Sequence, residues 1–115
     1  MGRVILIVDD DEDMRDAYKD ALELAGFRTR SAADGVAALD ALHADDGIGL
    51  ILLDLMMPGM NGWQLHEALQ SDARLQRIPV VVVTAGDATL PGASANLSKV
   101  AELHELLAVV RRHLG

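Results

Sequence analysis

Two kinds of apolar pattern alternate along this chain. Val4-Ile5-Leu6-Ile7-Val8, Leu50-Ile51-Leu52-Leu53 and Pro79-Val80-Val81-Val82-Val83-Thr84 are short, continuous and rich in β-branched residues. Such runs predict strands buried on both faces of a parallel sheet. Phe27 to Ala32 alternates weakly and reads as a more exposed edge strand, and residues 95–98 read as a weak fifth strand. Helical spacing fills the gaps. Met14, Ala17, Tyr18, Ala21, Leu22 and Ala25 recur at i, i+3, i+4 and i+7, and Gly26 is a natural stop. Asp34 is placed to cap a helix to about Asp45, with Val36, Leu39 and Leu42 inward. Pro58-Gly59 makes a turn before a helix from Gly62 to Ser71, and Leu103, Leu106, Leu107, Val110 and Leu114 mark a last helix.

Strands alternating with helices imply βαβ units, right-handed crossovers and a parallel sheet. At 115 residues, one α/β domain spanning 1–115 is expected. The predicted architecture is a doubly wound, flavodoxin-like five-stranded parallel sheet in the order 2-1-3-4-5. In such sheets ligands bind beyond the carboxyl ends of the strands, at the switch point between strands one and three.

Composition narrows the function classes. Half of the residues are apolar, enough for a core. Ten Lys+Arg against 18 Asp+Glu give a formal charge of −8, which disfavours direct nucleic-acid binding and adsorption to anionic membranes. There is no cysteine, hence no disulfide, thiolate metal site or Cys nucleophile. The chain suits a reducing, cytoplasmic setting. Val4 to Val8 is too short for a signal-peptide core, and an acidic run follows it at once.

The predicted strand ends carry the candidate chemistry. Strand one ends in Asp9 and Asp10, strand three in Asp54, strand four in Thr84 and strand five near Lys99. Three carboxylates at one crevice are unfavourable unless a cation sits among them. The available ligands are oxygens, so a hard cation, Mg²⁺, fits. A carboxylate beside Mg²⁺ can act as nucleophile toward a phosphoryl group, with a hydroxyl and an ammonium neutralising its oxygens.

The chain here resembles the receiver domain of two-component response regulators. The resemblance rests on Val8-Asp9-Asp10-Asp11 with Arg15, on Leu53-Asp54-Leu55-Met56-Met57-Pro58-Gly59-Met60-Asn61-Gly62, on Val83-Thr84-Ala85, and on Lys99 followed by Leu103 and Leu106-Leu107. It covers almost the whole chain, and the Asp54-to-Gly62 stretch is its most specific part. The resemblance implies that Asp54 is the phosphoacceptor and that Asp10 ligates Mg²⁺ directly. Asp9 would hold the metal through water, and the backbone carbonyl of Met56 would add a ligand. Thr84 would contact the phosphoryl group and Lys99 would pair with it. The implied partners are a histidine kinase or phosphotransfer protein and a downstream protein, and the resemblance leaves room for a homodimer. Such a domain assists its own phosphorylation and dephosphorylation but is not a conventional turnover enzyme.

Each residue also has a plain reading. Asp9 to Glu12 suit a helix N-terminus, Thr84 suits a strand and Lys99 a solvated surface. The four histidines show no metal-ligand spacing. The Met56-Met57-Met60 cluster fits loop packing, and Trp63 fits half-buried packing near the site. The chain also departs from the family. Val100, not proline, follows Lys99, so the bond between them is expected to be trans. Asn96 replaces the switch aromatic of strand five. Only nine residues separate Ala85 from Ala95, and Pro91-Gly92 interrupts them, so the family's fourth helix should be missing or reduced. The segment 86–94 is expected to be a mobile loop. These departures suit a pseudo-receiver, a phosphorylation-independent interaction module; the intact acidic trio suits an active receiver. An aspartate-nucleophile phosphatase would carry an acid two positions after Asp54, where Met56 stands.

Overall fold

The computed structural model describes residues 3–98 and 103–114. Its elements are β1 (Val4–Val8), α1 (Glu12–Leu24), β2 (Arg28–Ala32), α2 (Gly35–Ala44), β3 (Ile48–Leu53), α3 (Gly62–Gln70), a 3-10 turn at Leu75–Arg77, β4 (Val80–Thr84), β5 (Ala95–Ser98) and α4 (Leu103–Leu114). The five strands are parallel and lie in the order β2-β1-β3-β4-β5, as predicted for the flavodoxin-like class.

The continuous apolar runs are explained by what covers the sheet. Successive residues of a strand point to opposite faces. Val4, Leu6 and Val8 of β1, with Ile51 and Leu53 of β3 and Val80 and Val82 of β4, join Ala38, Leu42, Leu65 and Leu69 of α2 and α3. Ile5 and Ile7, with Leu50, Leu52, Val81 and Val83, join Leu22 of α1 and Leu106, Val109 and Val110 of α4. Two cores, one per face, hold the central strands rigidly, which fixes the positions of the loops that follow them. The β1–β3 register shifts between Val4 and Ile5: Val4 pairs with Ile48, but Ile5 pairs with Leu50, so Gly49 is an extra residue, a bulge in β3.

Helix starts use their own side chains. Asp11 accepts the N–H groups of Asp13 and Met14 and so caps α1. Asp34 accepts the N–H of Ala37 at 2.8 Å. At α3, Asn61 accepts from Gln64 N while Gln64 Oε1 accepts from Asn61 N, a reciprocal capping box.

Two expectations are corrected. Val36 is 59% exposed; Gly35, Ala38, Ala41 and Leu42 form the buried face of α2. The small residues, not the largest ones, set that face. At Gly35 an added Cβ would stand 2.5 Å from Met60 Sδ, so this helix start sits tightly against the loop after β3. Ala17 is exposed, while Tyr18, Ala21 and Leu22 turn inward. The connection between β4 and β5 contains no helix, as expected, but it is tied down at several points. Leu90 is buried in the core shared with α2 and α3. Its N–H donates to Asn96 Oδ1 at 2.9 Å, Ser94 N donates to Val80 O at 2.8 Å, and the Trp63 indole donates to Thr89 O at 3.1 Å. Ala95 and Leu97 face the α1/α4 core, and Asn96 lies on the other side, beside this loop.

Candidate functional site

The site is built by strand register. Val8 and Leu53 are partners in neighbouring strands, so Asp9 and Asp54 leave the sheet side by side. Main-chain bonds extend this order past the strands: Asp54 N donates to Val8 O at 2.9 Å, and Asp9 N to Ala32 O at 3.2 Å. One carboxylate oxygen each from Asp9, Asp10 and Asp54 lies within 4.8 Å of the others. Asp9 and Asp54 are only 2% and 3% exposed, whereas Asp10 is exposed.

Each acid is aimed by named donors. Asp54 Oδ1 accepts from Thr84 Oγ1 at 2.8 Å and from Met56 N at 3.1 Å. Thr84 is itself buried at the end of β4. Asp9 Oδ1 accepts from Asp11 N at 2.9 Å, and Arg15 Nη1 donates to the Asp9 carbonyl at 2.6 Å. The α1 cap is Asp11, so helix capping accounts for Asp11 and not for Asp9 or Asp10.

Two buried carboxylates and an exposed third at this spacing repel one another and lack bulk-water screening. A cation among them removes that cost. The donor set is entirely carboxylate oxygen, which suits a hard ion of the Mg²⁺ type rather than a soft metal. The Asp cluster is therefore chemically able to hold a metal ion. Its two buried members are oriented before any ion arrives.

Of the residues singled out in the sequence, Asp9, Asp10, Asp54 and Thr84 converge here. Met56 follows Asp54 closely, with its N–H on the Asp54 carboxylate and its side chain exposed. Lys99 and Val100 lie outside the described residues. Trp63 stands near the site but is exposed rather than half-buried, and its indole joins α3 to the β4–β5 loop. Two supports were not anticipated. Arg15 holds the Asp9 main chain, and no local pattern announces that contact. Asn61 and Gln64 fix the start of α3 just after the Asp54 loop, and their spacing is a legible capping signature. Gly62 closes this loop against the site: an added Cβ would stand 2.7 Å from Leu55 Cα and 3.0 Å from the Asp54 carbonyl oxygen.

Comparison with known proteins agrees with this arrangement. A family model for the response regulator receiver domain matches residues 5–111. The transcriptional regulatory protein CpxR of Escherichia coli K12 is 40% identical over 114 residues, covering 93% of this chain and 47% of CpxR. This chain thus spans about half the length of that relative. The polar-differentiation response regulator DivK of Brucella ovis is 30% identical, covering 100% of this chain and 98% of DivK. A crystal structure of a response regulator receiver protein from Pseudomonas putida superposes with a TM-score of 0.89 at 27% identity, covering 97% of this chain and 98% of that one. With the sheet order, the acidic trio at the strand ends and the match across residues 5–111, the chain belongs to the response regulator receiver domain family.

Proposed function

We propose that residues 1–115 act as a single receiver domain whose Asp54 accepts a phosphoryl group from a histidine kinase or phosphotransfer protein in the presence of Mg²⁺. One observation carries the reading: Asp9, Asp10 and Asp54 bring carboxylate oxygens within 4.8 Å of one another while Thr84 donates to Asp54. Asp9, Asp10, Asp54 and the Met56 carbonyl are assigned to the cation. When bound, Mg²⁺ neutralises the oxygens of the incoming phosphate, so that a carboxylate can approach it.

An oxygen of Asp54 attacks phosphorus as the bond from phosphorus to the donor imidazole nitrogen breaks, and the electron pair leaves on that nitrogen. The product is an aspartyl phosphate. Thr84 then donates its hydroxyl to the phosphoryl group, and Lys99 is assigned to pair with it. Hydrolysis returns the Asp54 carboxylate. The domain thus assists its own phosphorylation and dephosphorylation without being a conventional turnover enzyme. Its output is contact with a downstream protein or a second copy of itself. The −8 charge argues against nucleic acid and anionic membrane as direct targets, and a cytoplasmic setting suits a chain without cysteine. Among the described residues no helix is long and apolar enough to cross a membrane.

The β4–β5 segment without a helix and Asn96 in β5 are what a phosphorylation-independent interaction module would show. The oriented acidic trio is the stronger observation, because two buried carboxylates beside a third repel one another and a cation among them relieves that cost. Calorimetric titration with Mg²⁺ separates the two readings. The receiver reading expects weak, saturable binding that Asp10→Ala abolishes; equal heats for wild type and Asp10→Ala would leave only the interaction module.

A further inference from the structure

The opposite end of the sheet carries a second constellation. A cavity of about 320 Å³ opens where the strands begin, lined by Arg3, Arg77 and His113 above an apolar floor of Ile48, Ile78 and Leu114, with Gly49 and Pro79 at its margin. These three side chains arrive from separate parts of the chain: Arg3 precedes β1, Arg77 ends the 3-10 turn, and His113 lies in the last turn of α4. Gly49, where the β1–β3 register shifts, lines the same cavity, and bulges commonly sit beside functional sites.

The two arginines here have no internal partner among the described residues. Among the described residues the ion pairs are Lys19–Glu23, Arg30–Asp45 and His43–Asp72, and none includes Arg3, Arg77 or His113. Arg15 and Arg74 are also used internally, on the carbonyls of Asp9 and Leu42. Cations in the last turn of α4 answer its helix dipole, which accounts for His113 with Arg111 and Arg112. It does not account for Arg3 or Arg77. In a chain of net charge −8, two guanidinium groups and an imidazole meet at one cavity with no carboxylate partner among the described residues.

We propose that this cavity is a binding site for an amphipathic organic anion with a phosphate-like head. Two arginines present planar forks that match phosphoryl oxygens, and His113 adds a ring donor. The floor of Ile48, Ile78 and Leu114 takes the apolar body. The volume falls within the range of ordinary small-molecule sites. β3 spans six residues, so the cavity lies about 20 Å from Asp54. The site therefore stands or falls independently of phosphorylation.

The test is an amide-resolved NMR titration of the whole chain without Mg²⁺, so that the Asp54 end offers no cation to a phosphonate. Three probes are compared: phenylphosphonate, inorganic phosphate and benzyl alcohol. Phenylphosphonate should saturate in the millimolar range and shift Gly49, Arg77, Ile78 and Leu114, leaving Asp10 and Thr84 still. Arg77→Gln and Arg3→Gln, both at exposed positions, should each weaken it about tenfold, the loss of one charge-assisted contact. Inorganic phosphate and benzyl alcohol should bind distinctly more weakly, since each lacks one half of the chemistry. Shifts centred on Asp10 or Thr84, equal affinity of all three probes, or unchanged binding in both arginine variants would overturn the proposal.

Discussion

Thr84 Oγ1 donates to Asp54 Oδ1 across 2.8 Å, joining the ends of β4 and β3 inside the protein. The hydroxyl expected to meet a phosphoryl group already rests on the residue that would carry it. The β4–β5 loop begins at the very next residue. Any rearrangement of Asp54 that captures the Thr84 hydroxyl must therefore pull on that loop.

Replacing Thr84 tests this contact. Thr84→Ala leaves Asp54 Oδ1 with Met56 N as its other donor. We predict a loss of about 1 kcal/mol in stability, the net worth of one hydrogen bond, and slower capture of a phosphoryl group. Thr84→Ser, which keeps the hydroxyl, should restore both. Urea midpoints and phosphorylation rates of the two variants supply the check; identical behaviour of Ala and Ser would show that the hydroxyl is idle.

Gly62 should tolerate no side chain. Its missing Cβ faces Leu55 Cα and the Asp54 carbonyl, both of which are backbone and cannot swing aside. Gly62→Ala is predicted to shift the Asp54 loop and cost about 1–3 kcal/mol, as overpacking does. Asn61→Ala, which removes only the cap, should cost about 1 kcal/mol. Thermal unfolding of both compares the two directly. A neutral Gly62→Ala would mean that the loop has slack.

The β4–β5 loop is predicted to depend on Leu90 and Trp63. Leu90→Ala should cost about 2–5 kcal/mol, the range for a truncated core leucine. Trp63→Phe keeps the ring but loses the donor to Thr89 O. Hydrogen exchange across residues 86–94 should then quicken with little change in global stability. Exchange that is equally fast in wild type and Trp63→Phe would restore the view of this segment as simply mobile.

Acid should loosen two surface turns. The N–H groups of Leu75 and Arg74 hold the Asp72 carboxyl below its ordinary value, with His43 adding to the effect. The Gly47 N–H does the same for Asp45, helped by Arg30. A carboxyl whose folded value lies below its unfolded one contributes fully above the unfolded value and loses that contribution as pH falls through the folded value. The stability gap between wild type and Asp72→Asn should therefore be widest near neutral pH and close in strong acid. Denaturant midpoints measured against pH test this; a gap that widens on acidification would reverse the sign.

The sheet was legible because its strands are covered on both faces, which forces continuous runs such as Val80 to Val83 rather than an alternating pattern. Asp9, Asp10, Asp54 and Thr84 were legible because strand ends in this topology converge. The face of α2 was not, because Ala38 and Ala41 carry little hydrophobic signal beside Val36, although small residues are what close approach to the sheet requires. The absence of a helix between β4 and β5 followed from length and from Pro91-Gly92. The tethers to Asn96 and Trp63 did not, because each is a single bond from a side chain to the main chain, six residues apart for Leu90–Asn96 and 26 for Trp63–Thr89, with no regular spacing to announce it. The 3-10 turn at Leu75–Arg77 is also illegible, because it is only three residues long and the turn leading into it rests on one side chain, Asp72, which accepts the N–H groups of Arg74 and Leu75.

Intact mass spectrometry after incubation with acetyl phosphate is the most direct test of the central claim. The wild-type chain should gain the mass of one phosphoryl group when Mg²⁺ is present and none when it is chelated, and Asp54→Ala should gain none in either case. The adduct should be cleaved by hydroxylamine, as an acyl phosphate is. A wild-type chain that stays unmodified with Mg²⁺, or an Asp54→Ala chain that is modified equally, would contradict the assignment of Asp54 as phosphoacceptor.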